Sequence, residues 1–132
     1  MNIVTGVITS IKVSGNISLV TVTANNICFK TMVIETPGTA AWLKMDNKIN
    51  VIFKETEVII GKGLEHLVSL QNKVPGKIIE IQKGELMCKI TVDTIVGNIV
   101  AIISLDAVMQ LNLQPGETVT AMIKTNEIMI SQ

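Results

Sequence analysis

The sequence has few of the residues on which catalysis and metal binding depend. It contains one histidine, two cysteines, three aromatic residues and no tyrosine among 132 residues. Two cysteines are too few for a disulfide framework, and they form no metal-ligand motif, so we expect both to be small buried hydrophobic residues. One histidine without a nucleophile–base pair or a cofactor motif argues against a catalytic centre. The sequence therefore predicts a protein that is not an enzyme.

The chain also has no net charge and no long apolar run. The 11 basic and 11 acidic residues cancel, whereas proteins that bind nucleic acid need a basic face and often have aromatic residues that stack on bases. The longest fully apolar run, Ile99 to Ile103, is far too short to span a bilayer. No charged segment followed by an apolar one opens the chain. We therefore expect no nucleic-acid partner, no membrane span and a cytoplasmic location.

The residues that dominate are aliphatic and β-branched. Hydrophobic residues make up 48% of the chain, and Ile, Val and Thr together make up more than a third. This composition excludes disorder and favours strands over helices. A small fold cannot bury so much aliphatic surface by itself. We therefore expect subunit interfaces and a homo-oligomer.

The two halves of the sequence form a repeat with an offset of 70 residues. Nine identities align without a gap between residues 5 and 61, among them Gly6 with Gly76 and Lys54 with Lys124. The apolar positions of the two halves match as well. Such a repeat predicts two units of the same fold.

Each half is predicted to hold five short strands and one short helix. The second-half helix has Ser104 or Asp106 as its predicted N-cap. In the first half, Thr36 is the predicted N-cap and Pro37 takes the first helical position. Short strands of this kind, separated by turn residues, predict an all-β fold of two tandem OB-like five-stranded Greek-key barrels.

The predicted domains follow the repeat. The first unit spans 1–61 and the second spans 74–132, and residues 62–73 form a linker that leads into the first strand of the second unit. The turn signals Gly61 and Gly63 mark the start of this linker.

Several segments of the second half carry a resemblance to a known family. They are Ile99–Val108, Leu111–Glu117 and Val119–Ile130. Ahead of them, Ser69-Leu-Gln-Asn72 precedes Gly76, where the family has a Ser-Ala-Arg-Asn signature. Ser69 and Asn72 are kept, and Gln71 stands at the Arg position. The second half, from Ser69 onward, closely resembles the molybdate-binding Mop domain of the TOBE superfamily.

The first half resembles the same domain more weakly. It keeps Asn2 and Lys54, but Ile34 stands where the second half has Ser104, and Glu55 follows Lys54. A tandem chain of this kind resembles the two-domain molbindins. The resemblance implies a cytoplasmic homo-oligomer, with a trimer favoured over a dimer. It also implies that molybdate or tungstate binds as a small oxyanion at interfaces between domains or subunits, with no other metal.

The resemblance further implies which residues bind the anion. They are Ser69, Gln71, Asn72, Ser104, Lys124 and Thr125 in the second half, and Asn2 and Lys54 in the first. Amide, hydroxyl and ammonium donors suit a tetrahedral dianion, which accepts many hydrogen bonds. Ser104 could equally be a plain helix cap, and the two lysines could be solvated strand ends. Because Gln71 replaces a charged bidentate donor, we expect weaker binding at a regulator-like site, or reliance on the other type of interface, where backbone amides dominate.

Two functions follow from this resemblance. The first is storage or homeostasis of molybdenum by a protein that binds the oxyanion and catalyses no reaction. The alternative is a ligand-sensing effector module of a molybdate-responsive regulatory or transport system.

Overall fold

The computed structural model describes residues 1–132, which form ten strands, one α-helix and two 3₁₀ turns. The strands are β1 (Asn2–Ser14), β2 (Ile17–Ala24), β3 (Ile27–Val33), β4 (Lys48–Phe53), β5 (Ile59–Lys62), β6 (Asn72–Lys83), β7 (Met87–Thr94), β8 (Gly97–Ser104), β9 (Thr118–Ile123) and β10 (Met129–Ser131). Helix α1 spans Leu105–Leu111, the first 3₁₀ turn Glu55–Glu57 and the second 3₁₀ turn Thr125–Glu127.

The strands form two antiparallel sheets of five. Their orders are β10-β4-β1-β2-β3 and β5-β9-β6-β7-β8. Buried and exposed residues alternate along β1 and β7, as expected for strands with one face on a core. Phe29 and Phe53 lie fully buried with their rings stacked at a centroid distance of 6.3 Å. The predicted class, two OB-like barrels of five strands each, is confirmed.

Each sheet contains one edge strand from the other half of the sequence. Strand β5 follows β4 along the chain but pairs with β9, so that Ile60 lies opposite Ala121. In return, β10 follows β9 but pairs with β4, with Ile130 opposite Val51. The two 3₁₀ turns are the crossings between the sheets. The first packs against β8 and the second against β3. The predicted boundary at residue 61 therefore ends within a strand that pairs with the second half.

The predicted first-half helix is absent. Thr36 does begin a turn, since its carbonyl oxygen accepts hydrogen bonds from the amides of Thr39 and Ala40, both at 2.9 Å. The chain then continues through further turns to Asp46, which has a positive φ of 68°. Thr36, Gly38 and Thr39 have weak helix propensity, so the start signal is not followed by a helix. Helix α1 is present in the second half as predicted.

Gly6 and Gly76 occupy equivalent positions where no side chain fits. A Cβ on Gly76 would lie 2.5 Å from the carbonyl oxygen of Asp93, and one on Gly6 would lie 2.7 Å from that of Thr23. Both glycines lie in the central strand of a sheet, shortly before an irregularity in its register. They allow the neighbouring strand to approach closely where the sheet bends.

The cysteine prediction is half right. Cys88 is buried, whereas Cys28 is exposed. Phe29 points into the core from the next position of β3, so the alternation of the strand turns Cys28 outward.

The connection between β5 and β6 covers the outer face of the second sheet. The His66 ring packs against Gly61 and the side chain of Met122, and Met122 is only 4% exposed. The Lys73 ammonium donates a hydrogen bond to the His66 carbonyl at 2.7 Å. The equivalent face of the first sheet has no such cover. Ile3 and Met129, which flank Ile52 in adjacent strands, are 60% and 45% exposed.

We expect a chain that is cut once within residues 63–71 to remain a single folded particle. Each piece supplies an edge strand to the sheet of the other piece, so separation would expose paired backbone groups in both. Size-exclusion chromatography with a protease site placed in this segment measures the outcome. The same sample in urea, where the pieces should separate, is the control. Two folded monomeric pieces under native conditions would contradict the expectation.

Candidate anion-binding site

Four predicted binding residues meet at one end of the second sheet, and a fifth, Ser69, precedes them in the chain. Asn72, the first residue of β6, lies opposite Ile123, the last residue of β9. Gln71 and Lys124 directly flank this pair, and Thr125 begins the second 3₁₀ turn. Ser69 lies two residues before Gln71 in the connection from β5. We call Ser69, Gln71, Lys124 and Thr125 the second crossing cluster.

The second crossing cluster offers donors that the chain itself does not use. Ser69, Gln71 and Lys124 are exposed and Thr125 is half-buried. The Lys124 backbone carbonyl accepts the amide of Glu127 at 3.0 Å, but the Lys124 side chain makes no capping hydrogen bond. The only two ion pairs of the structure involve neither Lys124 nor its neighbours. One ammonium, one carboxamide and two hydroxyls are therefore free to bind an anion.

Asn72 was also predicted to bind the anion, but its side-chain amide already makes hydrogen bonds within the protein. The residue is fully buried, and its Oδ1 accepts a hydrogen bond from the backbone N–H of Lys30 at 2.6 Å. Its Nδ2 donates to the Lys30 carbonyl at 2.9 Å. Lys30 lies on β3, the free edge strand of the first sheet. The Asn72 side chain thus joins the two sheets rather than facing a ligand.

Asn2 makes the same pair of bonds at the equivalent position. Its Oδ1 accepts from the Val100 amide at 2.8 Å, and its Nδ2 donates to the Val100 carbonyl at 2.9 Å. Val100 lies on β8, the free edge of the second sheet. We call these two contacts the asparagine clamps. Both asparagines were predicted as anion ligands, and the structure places both amides against backbone.

Ser104 lies far from Lys124. It ends β8 opposite Met87, beside the turn that follows β6, whereas Lys124 lies beside Asn72 at the start of β6. The two residues are therefore at opposite ends of a strand of 12 residues. Ser104 caps helix α1, and its exposed hydroxyl oxygen accepts the Ala107 amide at 3.1 Å. Within one chain, Ser104 and the second crossing cluster do not form a common site.

The first crossing is more acidic than the second. Lys54 lines a cleft of about 170 Å³ with Glu57, Glu127, Asn126 and Met129. The carboxylates of this cleft oppose the binding of an anion. Next to Lys54, the Glu55 carboxylate pairs with the N-terminal ammonium at 2.8 Å, and this contact lowers the pKa of Glu55. Lys54 is thus the less favourable of the two predicted lysines.

Neither larger cleft contains a predicted binding residue. One, of about 380 Å³, is an open hollow at the β6–β7 turn, and the other, of about 290 Å³, lies beside helix α1. No group of three or more His, Cys, Asp or Glu side chains is placed to hold a metal ion. The fold also contains no helix of the length and apolar character required to cross a membrane. The second crossing cluster remains the best-formed donor group.

The second half of the chain is similar to a known domain family. A model of the TOBE domain matches residues 69–130. Molybdenum-pterin-binding protein 1 of Clostridium pasteurianum is 36% identical over 64 residues, which are 48% of this chain and 94% of the relative. The chain belongs to the Mop family of TOBE-domain proteins.

Two further proteins are similar to the chain, one in sequence and one in structure. Molybdenum-pterin-binding protein MopB of Rhodobacter capsulatus is 32% identical over 75 residues, which are 56% of this chain and 28% of MopB. The solved structure of the cytoplasmic molybdate-binding protein ModG, with molybdate bound, superposes with a TM-score of 0.88 at 18% identity. The alignment covers 98% of this chain and 94% of ModG, which shows that the tandem fold is shared.

Lys30 is a residue of the site region that the sequence did not identify. It lies in the first half, 42 positions before Asn72, and only the clamp brings it to the second crossing. The single local signal is a lysine on a strand otherwise made of apolar residues and threonine, which by itself indicates only a solvated face.

We expect Asn72→Ala to lower the free energy of unfolding by about 2–4 kcal/mol, because the backbone N–H and C=O of Lys30 lose their buried partners. Urea unfolding followed by circular dichroism measures this change. Asn126→Ala, which removes the same group at an exposed position, should change stability by less than about 0.5 kcal/mol. Equal stabilities of the two variants would contradict a structural role of the clamp.

Proposed function

We propose that this Mop-family chain binds molybdate or tungstate in the cytoplasm and stores or buffers the metal as its oxyanion. The observation that carries the proposal is the second crossing cluster, where Ser69, Gln71, Lys124 and Thr125 present unused donors. The curated relatives of the second half are molybdenum-pterin-binding proteins. The proposal includes no catalytic step, since binding a fully oxidised tetrahedral anion requires only donors and charge.

The donors of the cluster fit the chemistry of such an anion. A tetrahedral dianion accepts hydrogen bonds on all four oxygens, and charge-assisted bonds are the strongest of these. Lys124 supplies charge, Gln71 supplies two amide hydrogens, and Ser69 and Thr125 supply hydroxyl groups. Because the net charge of the chain is zero, no long-range positive field attracts the anion. Recognition therefore depends on these local contacts.

The cluster is open to solvent and surrounds only one side of an anion. We propose that a second copy of the chain completes the site, and that the protein is a homo-oligomer, with a trimer favoured over a dimer. Ser104, which lies at the other end of β6, would then contribute from a neighbouring subunit. The uncovered apolar face formed by Ile3, Ile52 and Met129 supports this association, because exposed apolar patches of this kind mark protein interfaces.

We expect Lys124→Ala to weaken molybdate binding by tenfold or more, because the variant loses a charge-assisted bond. Isothermal titration calorimetry with sodium molybdate and sodium tungstate measures the affinity. Lys12→Ala removes an equally exposed lysine near the far end of β1 and serves as the control. An unchanged affinity of the Lys124 variant would rule out the proposed site, and absence of binding by the unaltered chain would rule out the function.

Native mass spectrometry tests the assembly and counts bound anions in the same experiment. We expect the unaltered chain to form an oligomer, and Ile3→Lys to shift it toward monomer because a charge enters the apolar face. Ile95→Lys, a matched change in the β7–β8 turn, should leave the assembly intact. A monomer that binds molybdate with full affinity would contradict completion of the site by a second copy.

A further inference from the structure

The Asn72 clamp brings a second lysine to the second crossing. Its two hydrogen bonds, at 2.6 and 2.9 Å, hold the backbone of Lys30 directly beside the first residue of β6. Gln71 immediately precedes Asn72, and the second 3₁₀ turn, which follows Lys124, packs against β3. Residues from both halves of the sequence therefore meet at this point.

The Lys30 side chain is available at this position. Its neighbours Phe29 and Thr31 are fully buried in the core. The alternation of β3 therefore directs Lys30 to the opposite face, where it is half-buried. Neither ion pair of the structure involves Lys30. Its ammonium is thus a cation without a carboxylate partner, on a residue whose backbone contacts Asn72.

We propose that Lys30 is a further anion-binding residue, which acts with Lys124 at the second crossing and is positioned there by Asn72. This inference rests on the proposed oxyanion function. Two ammonium groups match the two negative charges of molybdate or tungstate.

The equivalent place at the first crossing lacks this cation. The Asn2 clamp holds Val100 where the Asn72 clamp holds Lys30. Glu55 follows Lys54, whereas Thr125 follows Lys124. The two crossings share a backbone arrangement but differ in charge, so each chain has one strong site rather than two equal ones.

Substitution of Lys30 tests the inference without disturbing the clamp, because Asn72 bonds only to the backbone of Lys30. Lys30→Gln keeps the length of the side chain approximately and leaves both clamp bonds in place, so thermal unfolding should be unchanged. We expect calorimetric affinity for molybdate to fall tenfold or more, which corresponds to about 1.4 kcal/mol per factor of ten. Lys30→Arg, which keeps the charge, should bind within about threefold of the unaltered chain. Lys12→Gln is the control for loss of an exposed lysine and should bind like the unaltered chain.

The outcomes separate this inference from the proposed function. If Lys124→Ala weakens binding but Lys30→Gln does not, the role of Lys30 is overturned and the function stands. If Lys30→Gln and Lys12→Gln weaken binding equally, the effect is one of overall charge and the inference is also overturned. If the unaltered chain binds neither molybdate nor tungstate, the proposed function fails and the inference fails with it.

Discussion

The free backbone edges of β3 and β8 impose the constraint on which the rest of the structure depends. Each strand lies at the end of its sheet, so one row of its N–H and C=O groups has no strand partner. Asn72 and Asn2 supply partners to Lys30 and Val100 from the opposite sheet. Buried backbone groups that lose such partners are costly. The two halves are therefore fixed in one relative position.

The exchange of strands β5 and β10 between the two sheets also joins the two halves of the chain. Strands β5 and β10 are short, with four and three residues, and each pairs along one side with a strand of the opposite half. The crossings that lead to them pack against the clamped edges β3 and β8. The exchange and the clamps thus support one another, because each places residues of one half against the sheet of the other.

This arrangement also decides which groups remain for a ligand. The clamps consume the amides of Asn2 and Asn72, whereas the Ser104 hydroxyl accepts the cap bond of helix α1 and keeps its own hydrogen to donate. The side chains at the second crossing remain free, and the clamp adds Lys30 to them. At the first crossing, Glu55 adds a carboxylate where the second crossing has Thr125, without a change in the backbone arrangement. A sequence repeat thus produces two crossings of similar shape and different electrostatics.

Local features of the sequence predicted much of this structure. The β-branched composition, the 70-residue repeat and the turn residues predicted two five-stranded units, and the start signal at Ser104 predicted helix α1. The corresponding start signal at Thr36 was misleading. Thr36, Gly38 and Thr39 have weak helix propensity, so no helix follows the signal. The prediction that both cysteines are buried failed at Cys28 because the alternation of β3 is set by Phe29.

The sequence by itself determined the fold class, the repeat and the residue types that suit an oxyanion. Only the tertiary structure decided how these parts meet. Strands β5 and β10 carry equivalent patterns, so either could close either sheet as far as local sequence is concerned. Likewise, no local pattern reveals that Ser104 and Lys124 lie at opposite ends of β6, or that Lys30 lies beside Asn72. These relations depend on contacts between residues distant in sequence, which become fixed only when the buried backbone groups of both halves find their partners.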